Sequence, residues 1–307
     1  MVLAAVLAGC FGLALGLTLA DRAAPGGTRL GVPGAEATAT PGPTTTGDPP
    51  GPVTLVAVGD IARDASDGRA TSRLVTSIGP DAVLVLGDAA YEAGSAADYA
   101  RAYDPWWGRF LPITRPVPGN HDYRTAGAAG YFGYFADQVH GRRYYAWDAG
   151  GWRLYALDCE IACGARSRQV AWLRADLAAH PTTPAVGYVH EPLFTCSTGH
   201  PPDLRLRAVW RALQRYGGRL LLSGHNHAYE RFAPQDAAGN RDPDGLRQLV
   251  VGTGGAEAYP LRRSCAHRRA GIDGHDGVLV LRLRPDGWSW RFVGTGGRVL
   301  DRGSATL

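Results

Sequence analysis

The chain contains no lysine: every basic residue in it is an arginine. That excludes lysine Schiff-base chemistry and the lysine of a phosphate-cradling P-loop. None of its five cysteines forms a Cys-x-x-Cys pair, which argues against a thiolate metal site. Ser223 precedes a Gly-His pair, but no nucleophile-elbow pattern surrounds it, which argues against serine catalysis. Charge of one sign is also scarce. The net charge is +4, with −1 over residues 1–52 and therefore +5 over the rest. Such an excess suits a small anionic substrate and is too weak to point to nucleic acid. What remains is an ordinary globular composition, 45% hydrophobic and 20% charged over 307 residues, long enough for one large domain or two small ones.

The first segment, residues 1–22, carries the uncharged run VLAAVLAGCFGLALGLTLA. It is about as long as a membrane span requires and reads as a signal sequence or membrane anchor. No basic residue precedes it and Arg22 follows it. The positive-inside tendency would then keep the remainder in the cytoplasm, so the export expected here requires a basic stretch upstream of Met1. LAGC at residues 7–10 is similar to a lipoprotein cleavage box, but the apolar run continues past Cys10, as it would for a cysteine inside an apolar helix. Residues 23–52 are rich in Pro, Gly, Thr and Ala without periodicity, a disordered linker that holds a domain at residues 53–307 away from a surface. An exported chain with Cys159, Cys163, Cys196 and Cys265 implies two disulfides. Three pairings are possible. Cys159–Cys163 with Cys196–Cys265 is the expected one, against the alternative of buried free thiols.

Five segments share one design: a short apolar run, then a potential metal ligand. They are VTLVAVGD (53–60), DAVLVLGDAAY (81–91), RPVPGNHD (115–122), PAVGYVHEP (184–192) and GRLLLSGHNH (218–227). Continuous apolar runs of this length read as strands buried on both faces. Helical patterns separate several of them, at 167–180 with Val170, Leu173 and Leu177 on one face, and at 203–217 with Leu206, Val209, Trp210 and Leu213 inward. Strands alternating with helices predict an α/β fold with a largely parallel sheet covered by helices. In such sheets ligands bind beyond the carboxyl ends of the strands. Carboxylates, an amide oxygen and imidazoles therefore converge on one edge, and packed carboxylates repel one another unless a cation lies between them. Oxygen and imidazole donors suit Fe, Mn or Zn.

These ordered motifs, GD (59–60), GDAAY (87–91), GNHD (119–122), the strand-end His190 and GHNHAYER (224–231), resemble those of the calcineurin-like metallophosphoesterases, most closely their purple-acid-phosphatase-like branch. VVGTGG (250–255) and GHDGVLVLRL (274–283) also look like that branch, and the resemblance spans about residues 53–303. It implies a two-sheet β-sandwich flanked by helices, an αββα architecture, with later strands such as YYAWDAGGWRLYALD (144–158) and GWSWRFV (287–293) building the second sheet. It implies two metal ions bridged by Asp88, the first also held by Asp60, Tyr91 and His227, the second by Asn120, His190 and His225. His121 would stand beside the substrate as proton donor. The implied activity is hydrolysis of phosphoric esters, monoester or diester, by water activated between the metals. The alternative is a tethered metal- or phosphate-binding module that has lost catalysis. The implied setting is a phosphorylated small-molecule substrate and an exported chain, secreted or anchored by its N-terminal segment. Oligomeric state stays open.

Three positions depart from the family pattern. Ala62 stands where the wider family often has a ligating histidine, leaving the place to a Tyr91 phenolate, the purple branch's pattern. That favours Fe(III) at the first site, with Fe, Zn or Mn at the second. Gly187 replaces the usual valine before His190. Glu191 follows His190 and is expected near the substrate, where a carboxylate would weaken binding of a dianion. Arg63 and Arg124 each follow a ligand motif and are candidates to meet a phosphate. Tyr229 and Glu230 are expected to pack rather than ligate. His200, His267 and His275 are expected on loops or the surface. Trp106–Trp107 and GYFGYF (130–135) are expected in the core rather than in a pocket wall.

Overall fold

In the computed structural model, residues 51–307 are described, and the expectations for residues 1–22 and for most of the 23–52 linker fall outside them. Thirteen strands follow in chain order: β1 (Val53–Val58), β2 (Ala82–Leu86), β3 (Thr114–Val117), β4 (Tyr145–Ala149), β5 (Trp152–Ala156), β6 (Ala185–Tyr188), β7 (Gly218–Ser223), β8 (Tyr229–Phe232), β9 (Arg247–Val251), β10 (Arg268–Ile272), β11 (Gly277–Arg284), β12 (Gly287–Gly294) and β13 (Val299–Thr306). They form two sheets, β13-β12-β11-β1-β2-β3 and β10-β8-β9-β7-β6-β5-β4.

The apolar runs have the cause the sequence suggests. In β7, Leu220 and Leu222 enter the core between the sheets, with Leu55, Val83, Leu249 and Leu281. Leu221 points the other way, into a second core with Leu173, Leu177, Trp210 and Leu213 of the helices Arg168–Ala179 and Arg207–Arg215. A strand covered on both faces has no polar face to show. Each fully buried leucine is worth about 1.5–3 kcal/mol relative to exposure. The helix Arg168–Ala179 starts where Ser167 accepts a hydrogen bond from the Val170 amide. Trp107 is fully buried and donates to the Gly68 carbonyl at 2.9 Å, and Tyr131 and Phe135 are buried in the inter-sheet core, as expected of these aromatics.

Two expectations are corrected. The strands at 277–283 and 287–293, expected in the second sheet, are β11 and β12 of the first, where β11 pairs with β1. The sheets are mixed rather than largely parallel. β1, β2 and β3 run parallel, as do β5, β6, β7 and β9, but β4, β8, β10, β11, β12 and β13 pair antiparallel. Short hairpins account for β4–β5, β11–β12 and β12–β13, and long-range pairing for the rest. Gly150 and Gly151 both adopt positive φ (58° and 81°) between β4 and β5, the conformation a two-residue hairpin needs. Among the described residues no helix is long and apolar enough to cross a membrane. Both expected disulfides are present, Cys159–Cys163 and Cys196–Cys265, with Cα–Cα separations of 5.2 and 5.9 Å.

Candidate metal centre

The parallel strands β1, β2, β3, β6 and β7 all run toward the same edge. Just beyond their carboxyl ends lie Asp60, Asp88, Asn120, His190 and His225. The turn after each strand is cramped. A Cβ on Gly224 would lie 2.6 Å from Asp60 Oδ2, and Gly87 (φ 86°) packs its bare α-carbon against the His190 ring. Asp60, Asp88 and His225 themselves adopt φ of 59°, 49° and 68°. Non-glycine residues in this region cost of order 1–3 kcal/mol each and cluster at functional sites.

The seven predicted ligands come together as two adjacent groups. In the first, Tyr91 Oη lies 3.0 Å from Asp60 Oδ1 and 3.2 Å from His227 Nε2, and His227 Nε2 lies 3.3 Å from Asp60 Oδ1. In the second, His190 Nε2 lies 3.2 Å from Asp88 Oδ2, 3.1 Å from Asn120 Oδ1 and 3.2 Å from His225 Nδ1. Ligand atoms of Asp60, Asp88 and His190 lie within 4.8 Å of one another. Asp60, Asp88, Tyr91 and His190 are at most 1% exposed.

Hydrogen bonds at the back of the rings fix which nitrogen faces inward. His190 Nδ1 is 2.8 Å from the Leu86 carbonyl and His227 Nδ1 is 2.7 Å from the Glu257 carbonyl. A carbonyl only accepts, so both Nδ1 atoms donate and both Nε2 lone pairs point into the cluster. Around His190 Nε2 stand two oxygen acceptors, Asp88 Oδ2 and Asn120 Oδ1, and the His225 ring nitrogen, whose role follows its tautomer. A proton or a metal cation on Nε2 satisfies both oxygens. Without a metal the proton takes that place: burial resists charge on His190, but Asp88 and Asp60 hold its pKa well above the ordinary value. Burial, with His190 and His200 adding to it, pushes the His225 pKa down to about 2, so this ring stays a neutral donor. Burial opposes the charge on Asp60, yet His227 brings its pKa down to about 2. Buried oxygen and imidazole donors without a thiolate fit hard or borderline metal ions.

His121 sits at the rim. Its amide donates to Asp88 Oδ1 at 2.8 Å, its Nδ1 lies 2.7 Å from the Glu92 carbonyl, and its Nε2 is 3.1 Å from Arg124 Nη2 and 4.0 Å from Asp88 Oδ2. Arg63 and Arg124 are half-exposed beside it and both pair with Glu92, at 3.5 and 3.3 Å; Arg63 also reaches Glu257 at 3.6 Å. Tyr229 and Glu230 pack away from the cluster as expected. Tyr229 Oη donates to Asp301 at 2.7 Å, and Glu230 accepts from Thr195 and the Cys196 amide. Ser223 is buried and donates to the Glu191 carbonyl.

One expectation about the surroundings is corrected, that for Glu191. His200 lies on a loop as expected, half-buried; its ring stacks on His225 at 4.1 Å, and its amide donates to Asn226 Oδ1 at 2.9 Å. The Cys196–Cys265 bridge ties its loop to the one carrying Tyr259, which stacks on His227 at 4.1 Å. His267 and His275 do lie on loops, half-buried and exposed. Glu191, expected near the substrate, is 5% exposed. Burial and the neighbouring Glu160 push its pKa well above the ordinary value, so it adds no charge to repel a dianion.

Two further groups had no assigned role in the sequence. Asp122 closes the GNHD turn, accepting from the amides of Asp88 (3.3 Å) and Gly119 (2.9 Å) and from Tyr99 Oη (2.7 Å). Burial and the charge of Asp88 push its pKa up to about 7. Asp158, just beyond β5, accepts from Tyr123 Oη at 2.5 Å and the Glu160 amide at 3.0 Å, while burial pushes its pKa up from 3.8 to about 6. The folded chain therefore holds this proton more tightly than the unfolded chain. The resulting stability is complete below the unfolded value and is lost as pH rises through the folded one, about 3 kcal/mol at most. Denaturant unfolding across this window should show stability falling with pH, and Asp158→Asn should flatten that fall.

The calcineurin-like phosphoesterase family model matches residues 53–229, more than half of the chain. The chain belongs to that family. It is 28% identical over 248 residues to purple acid phosphatase 15 of Arabidopsis thaliana, covering 66% of this chain and 45% of the relative. It is 28% identical over 250 residues to acid phosphatase type 7 of Homo sapiens, covering 66% of this chain and 55% of the relative. A purple acid phosphatase from yellow lupin seeds shares the fold with a TM-score of 0.71 at 17% identity, over 84% of this chain and 54% of that one. The chain spans about half the length of the curated relatives it matches.

Proposed function

We propose that this chain hydrolyses phosphoric esters of small molecules at a dinuclear metal centre held by Asp60, Asp88, Tyr91, Asn120, His190, His225 and His227. The observation that carries this reading is the buried meeting of acceptors around His190 Nε2 beside the Asp60, Tyr91 and His227 group. Two groups of donors with Asp88 near both suit two ions. Such a pair, when bound, supplies Lewis acidity toward the phosphoryl oxygens and a nucleophilic water at neutral pH. We assign Fe(III) to the Asp60, Tyr91 and His227 side, with Fe, Zn or Mn opposite.

The chain's own residues supply the rest. The His121 amide orients Asp88, and the bond from Nδ1 to the Glu92 carbonyl turns Nε2 toward the site. That Nε2 accepts from Arg124 Nη2 here, and it takes the proton for the leaving oxygen once Arg124 turns to the substrate. Arg63 and Arg124 stand at the mouth, where their guanidiniums exchange Glu92 for phosphoryl oxygens of the substrate. The two disulfides suit an oxidising compartment, in keeping with an exported chain tethered or released at its N-terminal segment.

Turnover of an aryl phosphate and an aryl phosphodiester with Fe, Mn and Zn tests the activity. No turnover with any of them would leave a metal- or phosphate-binding module. His121→Ala should lower kcat by about 10²–10⁴-fold, the range for a general acid. Full activity in that variant would remove His121 from the reaction.

A further inference from the structure

We propose that the outer face of the helices Arg168–Ala179 and Arg207–Arg215 docks on a bilayer that contains anionic phospholipid. Arg174, Arg207, Arg211 and Arg215 would meet headgroup phosphates, with Leu204 among the headgroups. The two helices carry five arginines and one carboxylate, Asp176, a net charge of +4. Residues 53–307 as a whole carry +5. The modest excess of the domain is thus nearly matched by one helical layer, and elsewhere the signs almost cancel.

Helix Arg207–Arg215 divides its residues between two faces. Val209, Trp210, Ala212 and Leu213 are buried in the core beneath it, and Arg207, Arg211 and Arg215 are exposed. Their spacing, i, i+4 and i+8, sets the three in one row about 12 Å long. Leu204 stands three residues ahead of that row and is the most exposed large apolar residue among those described, at 57%. Arg174, also exposed, joins from the neighbouring helix. With Arg211, Arg215 and Tyr216 it lines a hollow of about 310 Å³.

The row does not serve the helix that carries it. Like charges four apart on a helix repel. Arg207 stands in the first turn, where the helix dipole disfavours a cation and no acidic residue offsets it; only Arg215, in the last turn, suits the dipole. Among the described residues none of the four arginines forms an ion pair. The nearby carboxylates have other partners. Asp176 holds Arg153 and Tyr155, Asp203 holds Arg205, and Asp242 accepts from Gln214. Leu307 borders a separate hollow with Arg219 and Tyr216, and its carboxylate pairs with none of the four. Exposed guanidiniums complement phosphate oxygens, and a row of this length suits an array of them better than a single ion. An apolar side chain at the head of a basic row is the pattern of a helix that lies on a bilayer surface, whereas nucleic acid gains nothing from an exposed leucine. The apolar run within residues 1–22 and the linker after it, as read from the sequence, would keep this face within reach of a bilayer.

Hydrogen exchange of the full chain, titrated with vesicles of phosphatidylglycerol or of phosphatidylcholine, tests this. Residues 1–22 meet both kinds of vesicle, so the comparison isolates the headgroup charge. Peptides covering 204–216 should be protected by phosphatidylglycerol and not by phosphatidylcholine, and added salt should remove the protection. Arg207→Gln, Arg211→Gln and Arg215→Gln should each raise the lipid concentration for half protection about fivefold, the effect of one arginine near an anionic surface, and leave ester hydrolysis as in the parent chain. Leu204→Ser should also raise it, without changing the salt dependence. Equal protection by the two lipids, or undiminished protection in the triple arginine variant, would overturn the proposal. Protection of 204–216 by polyphosphate or duplex DNA and not by phosphatidylglycerol would overturn it too, and put a free polyanion in the place of the bilayer.

Discussion

Asp88→Asn should lower hydrolysis by more than about 100-fold, beyond the loss expected from groups that merely support a metal ligand, and should lower the bound-metal stoichiometry with it. The side chain is 1% exposed, and its backbone is held at a φ of 49°. One oxygen accepts the His121 amide at 2.8 Å and the other lies 3.2 Å from His190 Nε2. An asparagine keeps the shape and loses the charge. In one orientation it turns an amide N–H₂ toward His190, where a cation belongs. In the other it withdraws the acceptor from the His121 amide. Either way the centre loses a carboxylate that stands near both ligand groups. Metal analysis alongside kcat/KM checks this, and full activity with two bound ions would contradict the assignment.

Tyr91→Phe should abolish a visible tyrosinate-to-iron absorption band and reduce hydrolysis without eliminating it. Ala62 leaves an open place that no imidazole fills, and its backbone carbonyl accepts the Tyr91 amide at 2.8 Å, which sets the tyrosine beside Asp60. The phenol is 1% exposed. Burial, then Asp60 and Asp88, push its pKa well above 10, so nothing in the chain itself makes it a phenolate. A trivalent cation can, because an ion's charge dominates local pKa logic. The band and its loss in the phenylalanine variant are therefore one test of both the metal and the ligand. A colourless, fully active protein carrying two divalent ions would refute Fe(III) and leave Tyr91 as a neutral neighbour.

The ligands were legible because each is local to a pattern. A buried strand writes an unbroken apolar run, a cramped turn writes a glycine, and the ligand is the next polar residue, as in VLGD (85–88) and LSGHNH (222–227). Helix 168–179 was legible from its apolar spacing. The sheet pairing was not, because β1 lies between β2 and β11, and no local pattern says that residues more than 200 positions apart in sequence, such as Leu55 and Leu281, are partners. The contact of His200 with His225 was hidden for the same reason. Holding that loop are a bridge between cysteines 69 residues apart and two hydrogen bonds between the His200 backbone and the Asn226 side chain. Glu191 reads as an active-site acid from its neighbour in sequence, but alternation across a strand end turns adjacent side chains to opposite sides.

Four of the seven ligands, Asp60, Asp88, Tyr91 and Asn120, ride on the first sheet, and His190, His225 and His227 ride on the second. A metal pair held by both would span the seam between two layers that otherwise meet through packed side chains and a few cross-links such as Arg231 to Asp301 and the Gly59 amide to the Val251 carbonyl. Ions at a hundredfold excess over Kd would add about 2.7 kcal/mol to the folded state, a large part of a domain's net stability. Metal supply would then govern how long the sandwich persists as well as how fast it works, and a chelator would act on this chain as a denaturant.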